Sequence, residues 1–424
     1  MRYVEFFEKA KEKEITNIQI TEKEIKRSSC EVINGKLEDF QQKQETNYQI
    51  KAEYLQKTVQ VKSNYLAEDI LDLICMKAQA TDSSYEDDYL EKKENILKEE
   101  LPNVEIHEEV KRLKELDSIR IEKEINQLRT MFEESASRTR IVNSNGVDIS
   151  TNSHFSEFVV EAILEENGET SSYDRMILTT NKQEIPFEEF TANVMDMLLF
   201  QKKKEKLETK KYPIILDSYV AGNILSHLIG MTSKENIRNK VSCLGNKLGK
   251  KIFHEKVTIV EDPLNEKLPG KRLFDDEGTN TSYKEIVQNG VLKNYLYNIK
   301  ESKLEEKEST GNGYQGIDVR NMYLLGGEKT KEELWMDMKD GLYITDYMGS
   351  SGSAINQING NISLQVFGYM IKDGKIVSGF VPCVMTTTIF ELLENVEEIG
   401  NDLTFTNLCC GSPSIYIKDI SIAS

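Results

Sequence analysis

The sequence predicts an α+β protein of two domains. Residues 1–205 read as an N-terminal α/β domain with hairpins and long helices, and 206–424 as a C-terminal antiparallel β-rich domain with a few helices. Three observations predict this. The 424 residues exceed a typical domain of roughly 100–200 and can bury cores without disulfide or metal staples. Asn-Gly or Asp-Gly pairs stand between apolar runs at 34–35, 145–146, 289–290 and 373–374, and such pairs suit type I′ hairpin turns, which need φ > 0 twice. Lys202–Lys211, KKKEKLETKK, carries six Lys in ten residues and reads as a solvated helix end and linker, which sets the boundary.

The elements follow in order. Val4, Phe6, Phe7 and Ala10 mark an opening helix, and Ile18 and Ile20 alternate with polar residues as in a strand. Hairpin strands follow over 30–40 and 49–61. The run 67–80 is a helix with Ile70, Leu71, Ile74 and Ala78 on one face. Residues 87–134 are charge-dense, and Pro102 splits them into two helices. The second helix carries Val110, Leu113, Ile121, Ile125, Leu128 and Phe132 near helical spacing. Strands are expected over 140–149 and 158–163, the latter turning near 167–168, and a helix over 187–200. In the second half, strands are expected at 212–216, 257–260, 284–296, 321–325, 342–346, 367–377 and 414–422. Helices are expected at 220–229 and 386–394.

Charge narrows the function. Lys+Arg number 54 and Asp+Glu 72, a net charge of −18. That balance opposes phosphate-backbone binding and attraction to an anionic membrane, so neither nucleic acid nor membrane is an expected partner. No apolar leader follows Met1 and no window reaches the roughly 18 apolar residues of a span. Six cysteines without a CxxC spacing fit reduced thiols in a cytoplasmic protein.

Generic motifs yield no activity. None of the four His has a second His at i+4, the zincin spacing. Gly311–Gly316 (GNGYQG) matches GxGxxG, but a polar loop precedes it and an extended run follows, so it is not a dinucleotide fingerprint. Gly349-Ser-Ser-Gly352 is a Gly/Ser loop with no assignable acid/base pair. Asp275-Asp276-Glu277-Gly278 reads as a turn, and Cys409-Cys410 as a vicinal thiol pair of weak redox significance.

The second half nevertheless carries an ordered series of longer segments. They are Ala221-Gly-Asn-Ile-Leu-Ser-His227, Ser242-Cys-Leu-Gly-Asn-Lys-Leu-Gly249, Val257-Thr-Ile-Val-Glu-Asp-Pro263, Phe274-Asp-Asp-Glu-Gly278 and Ile286-Val-Gln-Asn-Gly290. Asn321-Met-Tyr-Leu-Leu-Gly326, Gly341-Leu-Tyr-Ile-Thr-Asp346, Ile399-Gly-Asn-Asp402 and Cys410-Gly-Ser412 complete it. Over 212–424 the chain resembles the TldD/PmbA family of metallopeptidases, long labelled modulators of DNA gyrase, and within it the PmbA (TldE) branch. In that family the TldD-type subunit holds one zinc with H-E-x-x-x-H on a helix and a Cys near the C-terminus. Laid on this sequence, the first His falls on Gly222, the Glu on Asn223, the second His on His227 and the Cys on Cys410.

The resemblance therefore implies a chain with no catalytic residue, metal ligand set or cofactor of its own. The zinc is expected in a TldD-like partner, in a cytoplasmic complex that cleaves unfolded peptides. His227 is expected to be a structural residue. Two alternatives stand beside this: a homodimeric peptide-binding or scaffold protein without peptidase activity, and a self-sufficient metallopeptidase using His227, Cys410 and Asp276.

Overall fold

The structure, a computed structural model, describes residues 1–80, 100–166, 168–348 and 355–424, with the backbone of 93–95. Alternation builds the N-terminal sheet. Its strands run in the order Lys57–Ser63, Lys36–Tyr54, Ile18–Ile33, Gln127–Asn143, Val147–Glu166 and Glu169–Thr179, and Lys93–Asn95 lies parallel to Val147–Glu166. Four of them are 16 to 20 residues long, well beyond the usual five or six. On Ile18–Ile33 the even positions Ile18, Ile20, Cys30 and Val32 are buried. They meet the helices Tyr3–Glu12 and Asp69–Ala80 at one end of the sheet, and His107–Glu115 and Phe187–Phe200 at the other. The odd positions Gln19, Thr21 and Lys23 take the opposite face. That face turns toward the second half of the chain, where Gln19 Nε2 donates to the Asp276 carbonyl at 3.2 Å and Ile141, Val147 and Ile149 pack on Phe274.

The C-terminal half holds two sheets. The six-stranded one runs Val291–Leu292, Lys284–Gln288, Ile259–Glu261, Met322–Leu324, Cys410–Ser412 and Thr404–Phe405. The eight-stranded one centres on Lys210–Leu216, Ile415–Ala423, Cys383–Thr388 and Asn361–Lys372. The helix Ser218–Thr232 touches strands of both. Together they bury one apolar core, while a second core joins Phe132, Phe158 and Leu198 to Leu334, Tyr343 and Tyr369 across the two halves. The fold is α+β, as expected.

Several local expectations fail for identifiable reasons. Leu128 and Phe132 lie on the strand Gln127–Asn143, and the described helices of that region, His107–Glu115 and Asp117–Glu122, are short rather than long. Leu128, Thr130, Phe132 and Glu134 are all buried, so period two fits this run as well as period 3.6, and ladders on both sides decide for strand. Most of the first charge-dense helix expected before Pro102 lies outside the described residues, as does the Gly/Ser loop at 349–354. The Lys-rich stretch is not a free linker. Lys204–Glu205 pairs in parallel with Gly379–Phe380, and Leu207 is buried. Backbone pairing at a sheet edge tolerates Lys side chains directed to water.

The C-terminal half is not wholly antiparallel either: 322–323 pairs in parallel with 410–411, and 342–344 with 214–216. The expected helix at 386–394 begins at Ile389. The threonines before it finish a strand, and Thr388 caps the helix by accepting from the Glu391 amide at 3.0 Å.

Candidate functional site

The four motif positions lie where the helix Ser218–Thr232 meets the strand Cys410–Ser412. Asp217 caps the helix, its carboxylate accepting from the Tyr219 amide at 3.0 Å. It also accepts from the Tyr343 hydroxyl and lies 3.7 Å from the Arg175 guanidinium. These groups border a cavity of about 220 Å³ between the two halves of the chain, with Tyr173, Tyr219 and Lys331 around it. Burial, and then the Asp217 carboxylate, hold the Tyr343 hydroxyl well above its usual pKa, so it serves as a donor.

Beyond the cap, Val220, Ala221, Ile224, Leu225, Leu228 and Met231 bury the helix almost all round. Gly222 lies against the strand: a Cβ built there would sit 3.5 Å from the Ser412 nitrogen and 3.6 Å from the Gly411 carbonyl carbon. Asn223 is half-buried, and its carbonyl accepts from the Ser226 hydroxyl at 2.7 Å. His227 is half-buried on the same helix and forms no hydrogen bond among the described residues; burial lowers its pKa, which favours neutral imidazole.

The strand is set by Asn407, whose side-chain oxygen accepts from the Cys409 and Cys410 amides at 2.8 and 2.9 Å. The two thiols then part. Cys410 is fully buried, and burial pushes its pKa far up. Cys409 accepts from Arg320 Nη1 at 3.2 Å and lies 3.7 Å from Asp318 Oδ2. Burial still raises its pKa, to about 11, over the opposing pull of Arg320. Neither thiol carries the thiolate character of a reactive cysteine.

The structure thus joins the helix of Gly222, Asn223 and His227 to the strand of Cys410. Asp276 belongs elsewhere: Arg272 Nη2 donates to it at 2.6 Å, and its amide donates to the Gly313 carbonyl. No group of three or more His, Cys, Asp or Glu able to hold a metal occurs among the described residues, so His227, Cys410 and Asp276 do not form the ligand set of the self-sufficient alternative. A catalytic zinc needs three protein ligands and an open position. Gly222 supplies no ligand in place of the first His and Asn223 no general base in place of the Glu, which leaves two candidate donors, His227 and Cys410, one short of that set. The donors present at this locus do not fit the metal.

Sequence reasoning missed a second polar centre behind the strand. Asp275 is fully buried, and its carboxylate accepts from the amides of Gly313, Thr279 and Glu277 at 2.8, 2.8 and 3.0 Å. The 275–278 segment is the expected turn, with Gly278 at φ +86°. The GNGYQG loop folds over it. Burial first, and then Glu277, lift the Asp275 carboxyl to about 7 against the backbone donors. Beside it, Lys284 and Asn312 both satisfy the buried carboxylate of Glu261, at 2.6 and 3.0 Å. The sequence signal was the pairing of an acidic turn with a glycine-rich loop some 35 residues later, since a Cβ at Gly313 would strike Glu277 at 2.3 Å.

Comparisons with known proteins agree with this geometry. The family profile described as PmbA/TldA metallopeptidase C-terminal domain matches residues 209–424, and that of the central domain matches 99–198. Metalloprotease PmbA of Escherichia coli O157:H7 is 28% identical over 219 residues, 51% of this chain and 47% of that protein. The metalloprotease TldD homolog of Buchnera aphidicola (from Acyrthosiphon pisum) is 25% identical over 264 residues, 57% and 54% of the two chains. The chain spans about half the length of the curated relatives it matches. Crystal structures share the whole fold: TldE of Thermococcus kodakarensis superposes with a TM-score of 0.85 at 16% identity, covering 99% of this chain and 100% of that one. The protein TM0727 of Thermotoga maritima MSB8 gives 0.87 at 24%, with full coverage of both. With more than half of its length matched by the C-terminal profile alone, this chain belongs to the PmbA/TldD metallopeptidase family.

Proposed function

We propose that this chain is the PmbA/TldE-type, zinc-free subunit of a cytoplasmic TldD/TldE-type metallopeptidase that cleaves unfolded peptides, and that the zinc resides in a TldD-like partner. One observation carries the reading. The helix and strand that bring the motif positions together are kept, while the positions themselves read Gly222, Asn223, His227 and a buried Cys410. A locus with its scaffold intact and two of its four motif positions replaced, at Gly222 and Asn223, fits a subunit that shapes a site for another chain. The relatives named PmbA and TldD metalloproteases support the family-level peptidase role. In this reading the chain encloses and holds extended substrate, and strand pairing with the C-terminal sheets supplies sequence-tolerant affinity.

The test is cleavage. The chain is purified alone, and then with a paralogue from the same source that carries H-E-x-x-x-H, and both are incubated with an unfolded polypeptide. The pair is expected to cut it and the chain alone to leave it intact. An inactive pair, or cleavage by the chain alone, contradicts the proposal.

A further inference from the structure

The face of the N-terminal sheet that carries Gln19, Thr21 and Lys23, which turns toward the second half of the chain, floors an open cavity of about 580 Å³. Two cross-strand rows make the floor. Lys23 stands between Asn47 and Thr139, and Lys62 stands in the next row beside Gln49 and Thr21. Arg272, Asp276, Gln315 and Arg320 of the C-terminal half close the other side. In a chain of net charge −18, four cations and one carboxylate line this space. Glu22 and Glu24, the acidic neighbours of Lys23, project to the other side of the sheet, where Glu24 pairs with Arg138 at 2.6 Å.

The two arginines are fixed. Arg272 donates to the Phe274 carbonyl at 3.1 Å and to Asp276 at 2.6 Å. Arg320 donates to the Val319 carbonyl at 2.6 Å and to Cys409 and Asp318, and its guanidinium lies 4.2 Å from the centre of the Tyr314 ring. The two lysines are not. Lys23 and Lys62 are exposed to the cavity, and neither forms a hydrogen bond or ion pair among the described residues. Crowding by the cavity walls, and then the Arg272 charge, lower the pKa of Lys23, the mark of an ammonium short of counter-charge.

Held guanidiniums on one side and unpaired ammoniums on the floor form a receptor for carboxylates. We propose that this cavity binds the carboxylates of an acidic stretch of peptide, and so gives the chain a preference for acidic segments. This rests on the reading of the chain as peptide-handling and names a substrate class within it.

The experiment uses the full chain and four probes at low salt: a labelled hexaglutamate peptide, its hexaglutamine counterpart, inorganic phosphate and acetate. Binding is read by fluorescence anisotropy, with phosphate and acetate as competitors. The glutamate peptide is expected to bind about tenfold or more tighter than the glutamine one, and added salt to weaken it. The double variant Lys23→Gln/Lys62→Gln, which removes no hydrogen bond or ion pair among the described residues, is expected to lose about tenfold in affinity for the glutamate peptide while keeping its affinity for the glutamine one. Equal binding of the two peptides, or an unaffected double variant, overturns the inference. Phosphate that displaces the peptide at concentrations where acetate does not would also overturn it, in favour of a phosphate site. If only the glutamate preference fails while the partnered complex still cleaves unfolded polypeptide, this inference falls and the proposed function stands.

Discussion

Gly222 gives the sharpest test of the helix–strand contact, because the same substitution is expected to act in opposite directions at two glycines. Gly222 is the fifth residue of the helix Ser218–Thr232 and lacks a positive φ. Its Cβ would find ordinary van der Waals contacts, at 3.5 Å to the Ser412 nitrogen and 3.6 to 3.7 Å to Gly411. Gly in a helix interior costs about 0.8–1.0 kcal/mol relative to Ala. Gly222→Ala is therefore expected to stabilise the protein by about 0.5–1 kcal/mol, the lower figure allowing for slight adjustment of the strand. In urea unfolding followed by far-ultraviolet circular dichroism this moves the midpoint up by about 0.2–0.5 M. Gly270→Ala is the counterpart. Its Cβ would fall 2.2 Å from the Leu408 carbonyl oxygen and 2.7 Å from Asn321 Oδ1, which accepts from the Gly270 amide. Backbone must move, so a loss of about 1–3 kcal/mol is expected. A Gly222→Ala variant destabilised by about 1 kcal/mol or more would contradict this packing, because it would place the strand closer to the helix than 3.5 Å from the added Cβ.

Three further outcomes follow from the polar centres. Lys284→Met leaves the fully buried Glu261 with only its Asn312 and Arg320-amide donors, and is expected to cost about 3 kcal/mol; a loss under about 1 kcal/mol in urea unfolding would mean that the pair contributes little. Asp275 is raised from 3.8 to about 7, so the folded state holds a proton that the unfolded state releases. Its contribution is complete below about pH 4 and is lost as pH rises to 7, at up to about 1.4 kcal/mol per pH unit. Asp275→Asn should flatten stability over that window, and an unchanged slope would show the carboxyl to be ionised throughout. Iodoacetamide at pH 8 should leave Cys410 unmodified in the native chain and modify it in denaturant; rapid native labelling would contradict its burial and raised pKa.

Much of the fold was legible because hairpin chemistry is local. Asn34-Gly35, Asn289-Gly290 and Asp373-Gly374 all have two consecutive positive φ values, as type I′ turns require. The turn at 145–146 was found for a partly different reason: only Gly146 is positive there, and Asn143 accepts from the Asn145 and Val147 amides. Leu55-Gln56 turns with both φ positive and carries no turn residue, so its conformation is imposed by the ladders on either side and is silent in sequence. Leu128 and Phe132 misled because two periods overlap. At the motif locus, the order of segments located Gly222, Asn223, His227 and Cys410, and the structure brings their helix and strand together. Arg272, Arg320 and Glu261 carried no local signature. Each acquires its role from partners tens of residues away, through loops whose closure no spacing rule describes.

The proposed function turns on where the metal is held. Its most direct test is the metal content, by elemental analysis, of this chain purified alone and again as a co-purified pair with an H-E-x-x-x-H paralogue. No stoichiometric metal is expected in the chain alone, and about one zinc per pair. One metal per chain in the protein purified alone would contradict the proposed function, and would mean that the replacements at Gly222 and Asn223 do not disable the metal motif.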